Sequence, residues 1–220
     1  MNKIKLFIVS ISLVIASGMA SAASVSANAT IQSDYTWRGM SQNSGDPSIN
    51  GGIDLEFDSG FYAGYWQASI AGGSENDYYA GFAGSLGEVG FDVGYVLFDY
   101  PAYPNKSWDF EELYLGLDLP MGIGLSFAFG MDENLDPGTL YGFGIDDNIE
   151  ISYGFDLGEG SLGLSYGEYD NVGDYYYLTY GFDILDFSVT LGYTDFSYDV
   201  NDGGGMGADD DAFFIDIGIL

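Results

Sequence analysis

The sequence has no histidine and no cysteine, and only four of its 220 side chains, Lys3, Lys5, Arg38 and Lys106, are basic. Without histidine there is no Ser-His or His-Asp catalytic set and no imidazole metal site. Without cysteine there are no disulfides and no thiolate ligands, so other interactions must hold the fold. Four basic residues beside 34 carboxylates exclude nucleic-acid binding, which begins with a basic patch. Long apolar runs are missing as well. Leu6 to Met19 is broken by Ser10, Ser12, Ser17 and Gly18, and it falls short of the roughly 20 residues that a membrane helix needs.

That short run reads instead as a secretory signal, with Lys3 and Lys5 as its basic start and Ala20-Ser21-Ala22 as its cleavage site. Cleavage after Ala22 leaves residues 23–220 as a single domain, in which Arg38 and Lys106 alone oppose the carboxylates. An acidic chain can be disordered, but disorder goes with few aromatics, and here there are 19 Tyr, 16 Phe and 3 Trp.

The order is visible as a period of two. From Val25 to Arg38 one face reads Val25, Ala27, Ala29, Ile31, Ser33, Tyr35, Trp37, and the other Ser26, Asn28, Thr30, Gln32, Asp34, Thr36, Arg38. Successive strand residues point to opposite faces, so this is a strand between an apolar and an aqueous phase. The pattern recurs in twelve segments. Apolar faces are read at Ile49 to Phe57, at Tyr62, Trp66, Ala68 and Ile70, at Tyr78 to Leu86, and so on to Phe213, Ile215, Ile217 and Ile219. Tight turns (58–60, 87–88, 120–122, 158–160, 185–186) alternate with longer connections (40–47, 71–77, 100–108, 132–147, 168–174, 199–210).

An all-β, transmembrane, antiparallel up-and-down β-barrel of about twelve strands has this arrangement, with both termini on the short-turn side. A soluble sandwich also alternates, but its outer face should carry Lys and Arg among its acids. The polar face here is Gly, Ser, Thr and Asn with scattered carboxylates, which suits a lumen. Aromatics at segment ends, Tyr35, Trp37, Phe57, Tyr62, Trp66, Phe155 and Tyr193, are expected to form belts at the two membrane interfaces.

The run Ser33-Asp34-Tyr35-Thr36-Trp37-Arg38-Gly39-Met40-Ser41-Gln42, with Asp46-Pro47, Gly51-Gly52 and Ser59-Gly60-Phe61-Tyr62-Ala63-Gly64-Tyr65-Trp66, closely resembles the start of the TorF porin family. Asp77 to Gly84, Phe91 to Tyr95, Tyr100-Pro101 and Tyr114 to Leu117 resemble the same family. The resemblance is specific over residues 24–118 and implies an outer-membrane barrel of poorly defined function, without a defined substrate.

An exported barrel is expected in the bacterial outer membrane, with lipid, lipopolysaccharide, the barrel-assembly machinery, and small solutes or cations as its partners. No cofactor, metal site or enzymatic activity is expected. A carboxylate-pair mechanism needs two acids at a defined separation in a cleft, and 34 acids make such pairs by chance. The acidic loops Asp146-Asp147 and Asp209-Asp210-Asp211 read as solvated, and Asp199 to Gly203 is one residue short of a calcium loop.

Inward acids are expected at Asp34, Asp54, Glu56, Asp92, Glu112, Asp118, Glu150, Asp156, Asp183 and Asp216, where they would favour cations or merely hydrate a rim. Arg38 faces inward beside Asp34, its nearest candidate for an ion pair. Inward glycines either leave an open lumen or relieve strain where strands bend. A passive, cation-preferring porin and a barrel plugged by side chains or a folded loop both fit this sequence.

Overall fold

A computed structural model describes residues 23–103, 108–131, 147–199 and 210–219. The signal segment 1–22, Lys106, Asp146, Asp209 and positions 200–203 of the calcium-like loop lie outside these residues.

Twelve strands form one closed antiparallel barrel, and a two-stranded hairpin lies apart from its wall. The wall runs β1 (Ala23–Gln32), β4 (Ser48–Phe57), β5 (Phe61–Ile70), β6 (Gly73–Leu86), β7 (Val89–Asp99), β8 (Phe110–Leu119), β9 (Ile123–Gly130), β10 (Asn148–Leu157), β11 (Gly160–Tyr169), β12 (Gly173–Ile184), β13 (Phe187–Tyr198) and β14 (Asp210–Ile219), which returns to β1. The hairpin is β2 (Thr36–Trp37) with β3 (Met40–Ser41).

Register sorts the side chains, because directly paired residues share a face of the sheet. Ile31 pairs with Ile49 and Ile217, Val93 with Leu115, and Tyr193 with Leu178, and this set points outward. Many of these side chains are exposed, among them Ile31 at 58%, Leu178 at 45% and Ile217 at 44%. The opposite phase lines the lumen. Its pairing climbs from Ser24 at the turn end through Glu56, Tyr62, Gly81, Gly94, Tyr114, Ala128, Asn148, Tyr169 and Gly173 to Tyr198 at the loop end. That climb is the strand stagger that barrel closure requires.

Three expectations change. The first strand ends at Gln32, not Arg38, and the chain then turns into the lumen. Residues 71–77 and 168–174 are not long loops: β6 begins at Gly73, and Tyr169 of β11 is paired with Gly173 of β12, so residues 71–72 and 170–172 make tight turns on the loop side. β5 has the opposite phase to the one expected. Tyr62 pairs with Glu56 and Trp66 with Gly52, which puts both on the lumen face with Ala68 and Ile70, while Phe61, Ala63 and Tyr65 point outward.

Candidate functional site: the lumen and its hairpin

The hairpin turns at Arg38 and Gly39, whose φ angles of 46° and 83° are both positive. Two such residues between paired Trp37 and Met40 make the tight turn whose twist matches a β-ribbon. Arg38 adopts this conformation against its own preference. A Cβ on Gly39 would stand 2.6 Å from Cβ of Tyr175, so glycine is needed here for space as well as for backbone freedom.

The hairpin crosses the loop half of the lumen from wall to wall. Tyr35 and Trp37 pack with Ala68 and Ile70 of β5, Val96 and Phe98 of β7 and Phe110 of β8. On the opposite side Met40 and Trp37 pack with Tyr169, Tyr175 and Phe196 of β11, β12 and β13. Polar groups fix the crossing. Tyr35 Oη donates to Glu75 at 2.7 Å, the Gly39 N–H donates to Tyr177 Oη at 2.7 Å, and Ser41 Oγ donates to Asp34 at 2.6 Å. Ser33 exchanges two hydrogen bonds of 2.8 Å with Ile215, and the Ala71 N–H donates to the Gln42 carbonyl at 3.0 Å. Burial and then Glu75 push the Tyr35 hydroxyl well above its usual pKa, so it remains a donor.

Arg38 pairs not with Asp34 but with Glu112 of β8, in a two-pronged contact of 2.8 and 2.9 Å. Its guanidinium also lies 4.2 Å from the centre of the Trp37 ring and 4.7 Å from that of Tyr169. Burial opposes the charge, but Glu112 and its hydrogen bonds hold the Arg38 pKa above its ordinary value. The expectation of an Asp34 pair rested on nearness along a strand, and the chain has left the strand at that point.

Of the expected interface aromatics, Tyr35 and Trp37 are therefore inside the barrel, and Tyr62 and Trp66 line the lumen wall. Phe57, Phe155 and Tyr193 lie on the outer phase. Every expected inward acid on a wall strand, Asp54, Glu56, Asp92, Glu112, Asp118, Glu150, Asp156, Asp183 and Asp216, lies on the lumen phase, while Asp34 is buried in the hairpin segment. Glu75 and Asp77 join them, hidden in the sequence by the supposed 71–77 loop.

Beside Glu75, which accepts from Tyr35 and Tyr100, Asp92 and Asp54 are capped by tyrosines of the wall. Tyr62 Oη donates to Asp92 at 2.6 Å and also meets Tyr114 Oη, and Tyr79 Oη donates to Asp54. Each of these rings lies over a glycine directly opposite on the next strand: Tyr62 over Gly81, Tyr79 over Gly64 and Tyr114 over Gly94. Tyr175 over Gly167 and Phe214 over Gly192 repeat the arrangement. A Cβ on any of the five glycines would fall 2.1–2.4 Å from the ring or its hydroxyl oxygen. At these positions glycine does not empty the lumen but seats an aromatic ring.

The arc β10 to β13 differs. Gly154, Asp156, Ser161, Gly163, Thr179, Gly181 and Thr190 surround a cavity of about 340 Å³ in the turn half. A second cavity of about 270 Å³ lies among Thr30, Gln32, Asn50, Ser188, Thr190 and Asp216, below Tyr35 and Trp66. Among the described residues no cluster of acids has metal-binding spacing.

Several solved barrels resemble this one weakly. Outer membrane protein opdK of Pseudomonas aeruginosa is 11% identical with a TM-score of 0.42, over 89% of this chain and 60% of that one. Outer membrane phospholipase A of Escherichia coli is 12% identical with a TM-score of 0.47, over 93% and 94%. OccAB4 of Acinetobacter baumannii is 11% identical with a TM-score of 0.40, over 84% and 56%, so the chain spans a little over half the length of two of the three. No curated protein matches it in sequence. Through residues 16–202 the chain belongs to a family of bacterial proteins of unknown function, Gcw_chp.

Proposed function

We propose that the protein is an outer-membrane channel for small solutes, whose passage is restricted by its own hairpin and whose acidic lumen prefers cations. Membrane placement is supported by the outer face, where exposed Ile, Leu, Val, Phe and Tyr run around the wall. In water so large an apolar surface would associate. In hydrocarbon the closed ring leaves no open face of unpaired strands beyond its seam. The TorF resemblance supports the porin reading.

The observation that carries the proposal is the division of the lumen. Its turn half holds a polar vestibule bordered by Asp156 and Asp216, and its loop half is crossed by Tyr35, Trp37 and Arg38. The same crossing favours a second reading, a permanently plugged barrel without transport.

Single-channel recording separates the two. Wild-type protein in a planar bilayer is expected to show small, infrequent steps. A variant with Trp37→Ala and Met40→Ala, which loosens both ends of the crossing, is expected to show larger ones. Under a salt gradient the reversal potential should indicate cation preference, and anion preference would remove that part of the proposal. If both proteins insert and neither conducts, the plugged barrel is correct.

A further inference from the structure

The barrel closes on an unusually short seam. β1 is laddered to β14 through Thr30, Ile31 and Gln32, and Ser33 adds two hydrogen bonds to Ile215, whereas every other neighbouring pair in the wall is registered over at least six residues. Towards the loop end the cause is the hairpin: the chain leaves the wall after Ser33, so Asp210 to Phe214 of β14 have no ladder partner on that side among the described residues. At the turn end, Ala23 to Ala29 of β1 are paired with β4 alone among the described residues. Separating β1 from β14 therefore breaks fewer backbone hydrogen bonds than opening the wall elsewhere.

Both sides of this seam have a definite chemistry. Behind it lies the cavity of about 270 Å³, to which the seam residues Thr30, Gln32, Asp216 and Gly218 themselves contribute. Asn50, Ser188 and Thr190 add amides and hydroxyls beside a single carboxylate, Tyr35 and Trp66 close the cavity from above, and Asp216 Oδ1 is buried without a hydrogen-bond partner among the described residues. That oxygen calls for a donor, and an anionic group beside it would be repelled. In front of the seam stand Ile31, Ile49, Ile215, Ile217 and Ile219, all exposed.

We propose that the seam is a lateral portal through which a single-chain amphiphile with an uncharged, hydroxyl-bearing head reaches this cavity from the membrane. The head donates to Asp216 and is held by the amides and hydroxyls, while the hydrocarbon chain passes between β1 and β14 onto the isoleucines. The proposal needs the membrane placement argued above but not the solute channel.

Trp66 lines the cavity and reports on its occupant. The probe is a monoacylglycerol brominated next to its head, mixed into phosphatidylcholine vesicles, with the equally brominated fatty acid at alkaline pH as the anionic control. Monoacylglycerol is expected to quench emission more strongly than the fatty acid, and Trp66→Phe is expected to remove the difference. Because the chain has no other cysteine, the paired Ile31→Cys and Ile217→Cys can be joined across the seam by a disulfide or, failing that, a short bismaleimide.

Joining them should abolish the selective quenching, while the same bridge between Phe182→Cys and Val189→Cys, paired across β12 and β13, should leave it intact. No quenching, equal quenching by both probes, or quenching indifferent to the seam bridge would overturn the portal. Flotation of the protein with the vesicles tests membrane placement separately.

Discussion

At the scale of single residues, the lumen is organised by pairs whose members cannot be changed independently. Arg38 and Glu112 lie deep in the barrel, at 10% and 4% side-chain exposure. Removing one partner strands the other charge, so Arg38→Ala is expected to cost about 3–5 kcal/mol in urea unfolding of the refolded protein in micelles. Replacing both, as Arg38→Met with Glu112→Leu, should recover most of that loss. Equal midpoints for wild type and Arg38→Ala would show that the pair adds nothing.

The ring-on-glycine pairs predict a second contrast at this scale. A Cβ at Gly81 would meet Tyr62 Oη at 2.3 Å and the Val93 carbonyl at 2.8 Å, whereas at Gly154 the nearest atom is 3.9 Å away. Gly81→Ala should therefore lower stability by about 1–3 kcal/mol through overpacking, and Gly154→Ala should leave the unfolding midpoint nearly unchanged.

At the scale of elements, the wall was legible in the sequence because outward-facing apolar and lumen-facing polar residues alternate, and alternation is a local property. The inward acids were legible for the same reason, since each stands between outward apolar neighbours. β5 was misread because its polar residues stand on the outward phase: Gln67 and Ser69 alternate with Trp66, Ala68 and Ile70, so the apolar set there is the one that faces the lumen. The start of β6 was lost for another reason, since Ser74, Glu75, Asn76 and Asp77 are polar on both faces.

The hairpin was hidden more thoroughly. Its residues continue the alternation of β1, and Arg-Gly is a weaker turn signal than Asn-Gly. The contacts that hold it also come from far along the chain: Glu112 is 74 residues from Arg38 and Tyr177 is 138 from Gly39. Reasoning from neighbours chose Asp34. Only a folded barrel brings Glu112 to that place.

At the scale of the whole molecule, the apolar outer face and the lumen face are separated by one layer of backbone, and a charge of the same kind should have opposite consequences on its two sides. Leu178 faces out and Thr179 faces in. In lipid vesicles Leu178→Arg should destabilise the barrel by about 2–4 kcal/mol, the cost of a cation near the bilayer midplane, and Thr179→Arg should be tolerated. Equal effects at the two positions would argue against the membrane placement.

The wall-to-wall hairpin also constrains the order of folding. It follows the first strand directly, yet it can be seated only when β11 to β13 are present. Joining ends so far apart in sequence is slow. Insertion of the hairpin and zipping of β1 to β14 should therefore occur late and together, so that the first strand of the wall is among the last to reach its native place.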